Sequence, residues 1–193
     1  MVGIRETALP YRSGKYTYDD YAKLPEGSRY QLIGGELVVA PAPTPFHQDI
    51  SWTLSHLLGG FVLKNRLGIV RNAPLDVYLN KKETYQPDVI FIARNRLGIK
   101  GKRKIEGAPD LVVEILSPST AQDDLGTKFR NYEQYGVREY WVVDPETRTV
   151  EVFVATNGRF VSDQRVAGQG TVASMLLPGF TVEMDELFFD PGE

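Results

Sequence analysis

Apolar positions recur along this chain in two rhythms. Between His47 and Arg66, residues Ile50, Leu54, Leu57, Leu58 and Phe61 fall three or four apart and make one stripe on a long helix. Gly59 and Gly60 weaken it by roughly 1 kcal/mol each, so a kink is expected there, and Gly68 is expected to close it. Elsewhere the rhythm shortens to strands over 69–72, 75–79, 85–93, 111–116, 139–143, 149–154, 159–162 and 171–176. Gly34-Gly35 between 29–33 and 36–40, and Asn157-Gly158 further on, are two-residue hairpin turns. Thr17 caps a short helix that ends near Pro25. A second helix opens at Asp123 or Asp124 and runs to about Gln134, with Gly136 closing it, and a last short helix covers 184–189. The stretch 94–108 reads as a loop.

Helix, antiparallel strands, helix, strand and a β-rich tail make a mixed α/β (α+β) pattern with a mixed central sheet flanked by helices. A length of 193 residues suits a single domain.

Two acids sit where acids are costly. Asp88 lies in Pro87-Asp88-Val89-Ile90-Phe91-Ile92, and Glu114 in Leu111-Val112-Val113-Glu114-Ile115-Leu116. Strands apolar on both faces are central ones covered on both sides. A carboxylate there must pair with a buried base, reach water at a strand end, or bind a metal. Two that converge repel each other, and a hard cation such as Mg2+ or Mn2+ relieves the repulsion. Asp110 shares a strand face with Glu114 but lies nearer the strand start. On the helix that follows, Asp124, Lys128 and Tyr132 are spaced by four and share one face: a surface ion pair with a packed tyrosine, or part of a site beside the end of the Glu114 strand.

Pro87-Asp88, the run from Val112 to Thr120, Asp124 with Lys128 and Tyr132, and the run from Gly136 to Asp144 together resemble the Uma2 family of endonucleases. Tyr30 to Leu37 is similar to that family's N-terminal hairpin and His47 to its helix start. The resemblance spans about 16–154, leaving 155–193 as a β-rich C-terminal extension. It implies a restriction-endonuclease-like fold of the PD-(D/E)xK superfamily, in which Asp88 and Glu114 are the metal-binding acids. The superfamily's lysine position is Leu116 here, and the resemblance implies that Lys128 supplies the amine from the following helix. Glu36 and His47 match additional polar residues at the family's site: Glu36 to complete a metal shell, His47 as ligand or general acid, the alternative for His47 being a helix-start histidine bonded to a loop. Gln86 could face phosphate. His56 has no role in this reading. A homodimer placing one site on each strand is implied as well.

Composition narrows the field. There is no cysteine, which excludes disulfides, thiolate zinc sites and a cysteine nucleophile and fits a reducing cytoplasm. The first eleven residues lack the apolar core of a secretory signal, and no run is long enough to span a bilayer. Net charge is −3, so any hold on a polyanion must be local. Arg94, Arg96, Lys100, Lys102, Arg103 and Lys104 crowd the loop between the two acidic strands. They form either a phosphate grip with its ends near the site or a solvated basic loop. The chemistry that the resemblance implies is metal-dependent phosphodiester hydrolysis of nucleic acid, with DNA the leading substrate. A binding module that has lost hydrolysis, or a hydrolase of small phosphate esters, are the competing classes.

Overall fold

The computed structural model describes residues 16–25, 27–118 and 120–190; the stretch 1–11 and Ser119, both read above, lie outside them. Thr17 opens α1 (Tyr18–Tyr21), its N–H and Oγ1 both donating to Asp20 Oδ2 at 3.0 and 2.9 Å. β1 (Tyr30–Ile33) and β2 (Glu36–Val39) form the hairpin, and Gly34 and Gly35 take φ of 61° and 79°, as a turn of this type demands. α2 (Pro45–Asn65) has Thr44 as its N-cap and proline in its first turn. It runs without a break through Gly59-Gly60. Arg66 closes it at φ 55°, two residues before the expected Gly68, which instead begins β3 (Gly68–Asn72). Glycine is required at 68, because a Cβ there would lie 2.0 Å from the Ile92 carbonyl oxygen.

β4 (Val77–Asn80), β5 (Glu83–Tyr85) and β6 (Val89–Ala93) follow. The continuous strand expected over 85–93 is two strands in two sheets, divided at Gln86-Pro87-Asp88, where proline has no N–H to pair. The expected loop 94–108 holds a 3-10 helix, Arg94–Ile99, and β7 (Ile105–Glu106). β8 (Leu111–Ile115) leads to α3 (Ala121–Asp123), a wide π-turn over Asp124–Lys128 and α4 (Phe129–Tyr135), so that helix starts two or three residues earlier than predicted. β9 (Glu139–Asp144), β10 (Thr149–Thr156), β11 (Arg159–Ala167), β12 (Thr171–Ala173), β13 (Thr181–Glu183) and α5 (Met184–Leu187) complete the described chain.

The strands make a six-stranded sheet in the order β11-β10-β9-β8-β6-β3, a five-stranded one in the order β2-β1-β5-β4-β7, and the β12-β13 pair. In the larger sheet β8 and β9 are parallel and the other pairs antiparallel, so the sheet is mixed and flanked by helices. Alternation along β6 and β8 divides the core. Val89, Phe91, Leu111, Val113 and Ile115 pack with Ile50, Leu54, Leu58 and Val62 of α2. Ile90, Ile92 and Val112 pack with Tyr85, Tyr132, Val137 and Tyr140. Glu114 shares the Val112 side by the period of two, which turns it toward the helix that carries Lys128.

Glu139 ties the sheet to the C-terminal segment. It is fully buried; Oε1 accepts from Trp141 Nε1 and Oε2 from the Leu176 N–H, both at 2.7 Å. Glu139→Ala strands both donors and is expected to cost about 2 kcal/mol or more by urea denaturation. A loss under about 0.5 kcal/mol would show that the tie is not needed.

Candidate active site

β6 and β8 run antiparallel with Val89 opposite Val113 and Phe91 opposite Leu111. Asp88, just ahead of β6, therefore arrives beside the far end of β8, where Glu114 and Ile115 stand. Asp88 Oδ2 accepts the Ile115 N–H at 2.7 Å. From the first turn of α2, His47 reaches the same point: its Nε2 lies 3.1 Å from the Ile115 carbonyl oxygen and 3.5 Å from Asp88 Oδ2.

The helix behind β8 supplies the rest. Lys128 Nζ is 3.1 Å from Glu114 Oε1 and 2.8 Å from Asp124 Oδ1, and the Tyr132 hydroxyl donates to Glu114 Oε1 at 2.7 Å. Glu114, Asp124 and Lys128 are 3%, 1% and 2% exposed, so this is no surface ion pair. Two carboxylates face one ammonium.

That surplus of negative charge sets the protonation. Burial pushes Glu114 up to about 8 against the pull of Lys128, with Asp124 and Asp88 adding to the rise. Asp124 is also raised by burial, partly offset by Lys128. For Lys128 burial works against the charge, but Glu114 and Asp124 outweigh it, and the ammonium holds its proton above the usual lysine range. Burial likewise opposes a charged His47, yet the bond and charge of Asp88, the Ile115 carbonyl and the charge of Glu114 raise its pKa.

The profile of Uma2, described as "Putative restriction endonuclease", matches residues 18–185. The chain belongs to the Uma2 family. Among solved structures it is similar to "a putative nuclease belonging to DUF820" from Anabaena variabilis, at 20% identity and a TM-score of 0.72, covering 89% of this chain and 97% of that one. That likeness shows a shared fold. No curated protein matches.

The structure gathers six of the residues singled out for this Uma2 chain: His47, Asp88, Glu114, Asp124, Lys128 and Tyr132. The others lie elsewhere or are otherwise engaged. Glu36 is exposed at the start of β2. Gln86 is bound into a different network: its N–H donates to Gln31 Oε1 at 3.0 Å, and its amide donates to Tyr21 OH and Asp76 Oδ1 at 3.2 and 3.0 Å. His56 stacks on Trp52 at 5.1 Å on α2.

The basic loop is a correction of place. It joins the end of β6 to the start of β8, whereas Asp88 precedes β6 and Glu114 is near the end of β8. Its two ends are thus one strand length, roughly 15 Å, from the carboxylates. Arg96 is spent there on buried Asp110, at 3.0 Å, and on the Ala108 carbonyl. Arg138 also approaches Asp110, at 3.5 Å. Lys104 lies over the rings of Tyr18 and Tyr78, at 3.6 and 4.0 Å. Arg94, Lys100, Lys102 and Arg103 are exposed.

A second network adjoins the site and had no sequence signal. Buried Glu83 Oε2 accepts from the Gly34 N–H at 3.0 Å and from the Tyr85 hydroxyl, which in turn accepts from Asn131 Nδ2 at 2.6 Å. The Tyr85 ring stands edge-on to Tyr132 at 5.5 Å, and Lys128 Nζ is 5.9 Å from its centre. This network joins the N-terminal hairpin to the helix that presents Lys128.

Proposed function

We propose that this chain hydrolyses phosphodiester bonds of nucleic acid, DNA above all, using a divalent cation, Mg2+ or Mn2+, held by Asp88 and Glu114. The observation that carries the proposal is the buried Lys128 ammonium on Glu114, next in the chain to Ile115, whose N–H the partly exposed Asp88 accepts. Buried ion pairs add little to stability over apolar packing, so a buried lysine with two carboxylates beside a partly exposed Asp88 and His47 points to chemistry. The donors suit a hard cation. Asp88, Glu114 and the Ile115 carbonyl offer oxygen, the Asp88 and His47 side chains are 17% and 12% exposed, and the surplus carboxylate lacks a compensating charge. Among the described residues no three His, Asp or Glu side chains form a ready cage; in this proposal the Ile115 carbonyl joins the donor set and Glu114 swings from Lys128 toward Asp88.

A bound cation there would polarise a phosphate oxygen and acidify water. Lys128, held firmly protonated, suits neutralising and orienting a phosphate better than abstracting a proton. Tyr132 and Asp124 fix Glu114 and Lys128. The exposed Arg94, Lys100, Lys102 and Arg103 would touch the polymer away from the scissile bond, and two copies would serve the two strands of a duplex.

The purified protein is expected to nick supercoiled plasmid in Mg2+ or Mn2+, and Asp88→Ala to reduce the rate at least a hundredfold. Single-stranded DNA, RNA and a chromogenic phosphodiester run alongside define the substrate class. Equal cutting by wild type and Asp88→Ala would sink the proposal.

Cation binding should also depend on pH. Glu114 ligates only as carboxylate, and with its pKa near 8 the cation displaces a proton at lower pH. Apparent Mn2+ affinity is expected to rise between pH 6 and 8, by up to about tenfold per unit, and to level above 8. Calorimetry in buffers of different ionisation heat counts the released proton; a flat profile would mean that Glu114 is not a ligand.

A further inference from the structure

We infer that the outward face of α2 is the surface through which two copies of this chain pair, helix against helix about a twofold axis. The resemblance to the Uma2 family implies a pair of chains without saying which surfaces meet. α2 is apolar on two faces. Ile50, Leu54, Leu58 and Val62 point into the core. About half a turn round the helix, Trp52, His56, Gly59 and Leu63 follow one another at intervals of four, three and four. That is the spacing of a seam that packs on another helix. Trp52 and Leu63 are 67% and 79% exposed, and His56 lies flat on Trp52, with ring centres 5.1 Å apart and planes 8° from parallel. Phe189, 66% exposed, lines a shallow groove with Trp52 and His56. A Cβ at Gly59 or Gly60 would meet nothing within 4 Å, so a second backbone can come close there.

The order of these residues points to a second copy as what covers the stripe. The intervals read the same in both directions. A second α2 laid antiparallel therefore sets the partner's Leu63 on Trp52 and the partner's Gly59 on His56, so each large ring meets a smaller group. The charges obey the same symmetry. Asp49 stands three residues before Trp52 and Arg66 three after Leu63, so each acid comes opposite the partner's Arg66. Lys64 lies on the flank of α2 that carries Thr53 and Leu57 and borders the groove with Asp185 and Glu186. In the antiparallel pair it approaches those two acids of the partner subunit. Asp49, Lys64 and Arg66 are exposed and make no ion pair among the described residues. A face that is its own complement in shape and in charge is what a twofold pair requires.

Pairing of this kind also sets the spacing of the two sites. His47 lies in the first turn of α2, so the two copies of it stand about 21 residues, or roughly 30 Å, apart along the antiparallel pair. The catalytic centres proposed above then sit at opposite ends of the pair rather than side by side. Oligomeric state is read without any activity, so this face stands or falls separately from the cutting.

Sedimentation equilibrium from micromolar to several hundred micromolar chain should show monomer and dimer in exchange. Trp52→Glu and Leu63→Glu should each weaken pairing about tenfold or more. Both positions are exposed in the single chain, so the variants should fold, as circular dichroism checks. Asp49→Arg and Arg66→Asp should each weaken pairing about threefold, and together should restore it, because the opposed charges are exchanged and not lost. Cross-linking reads the register, since the chain has no cysteine of its own. A short bis-maleimide linker should join Asp49→Cys chains to Arg66→Cys chains. It should join neither variant to itself, because like positions lie about 25 Å apart. A wild-type chain that stays monomeric throughout would overturn the inference, as would a dimer indifferent to both Trp52→Glu and Leu63→Glu. Efficient linking of either cysteine variant to itself would overturn it as well, because only a parallel pair brings like residues together.

Discussion

Lys128→Met is expected to abolish plasmid nicking and to cost about 3–5 kcal/mol of stability, the usual penalty for leaving buried charge without its partner. The ammonium is 2% exposed and serves both Glu114 and Asp124. Without it two carboxylates share a buried site with no base, and they must take up protons. The loss should shrink as pH falls from 8 to 6, because protonation removes the repulsion. It should also shrink when Mn2+ is added, because a cation replaces the missing charge. Urea denaturation at both pH values, with and without Mn2+, reads all three effects. A variant as stable and as active as wild type would show that the amine is incidental.

Glu114→Gln should behave in the opposite way. Nicking and Mn2+ binding are expected to fall at least a hundredfold, since the amide is a poor substitute for a carboxylate ligand. Stability should change by less than about 1 kcal/mol, because one ammonium then faces one carboxylate and the surplus is gone. The pH dependence follows. In the wild type, burial lifts Glu114 from the usual glutamate value of 4.5 to about 8. The native state thus holds a proton that the unfolded chain has shed, and this contribution is full below about pH 4.5 and lost as pH rises through 8. Glu114→Gln should flatten that decline in denaturation curves taken from pH 5 to 9. A variant that loses stability as heavily as Lys128→Met, or keeps its cutting rate, would contradict this account.

The two acids were legible because an acid inside an apolar strand is conspicuous on any reading. The placement of Lys128 was not fixed by spacing alone. A lysine four residues from an aspartate is usually a surface pair, and only the fold, by turning Glu114 toward that helix, buries it. The basic loop was misplaced because sequence does not give strand direction. Once β6 and β8 are antiparallel, the segment joining them must leave from the end opposite the acids. Gln86 was read from its neighbours Pro87 and Asp88, but its partners Tyr21, Gln31 and Asp76 come from distant segments. Glu83, Tyr85 and Asn131 carried no local signature, since their contacts join positions up to 49 residues apart. The helices and hairpins, by contrast, were legible to within a few residues, because caps, glycine turns and apolar spacing are local.

The wide turn over Asp124–Lys128 also limits how this segment can change in length. A regular helix advances by about 100° per residue, so the extra width of that turn sets the phase between Asp124 and everything from Phe129 onward. Inserting one more residue beside Gly126, which has open space about it, would swing Tyr132 off Glu114 by about 100° while leaving every reactive group in the polypeptide. Lengthening by one residue here should therefore silence the protein as thoroughly as mutating an acid, whereas outward-facing substitutions on the same helix should pass unnoticed.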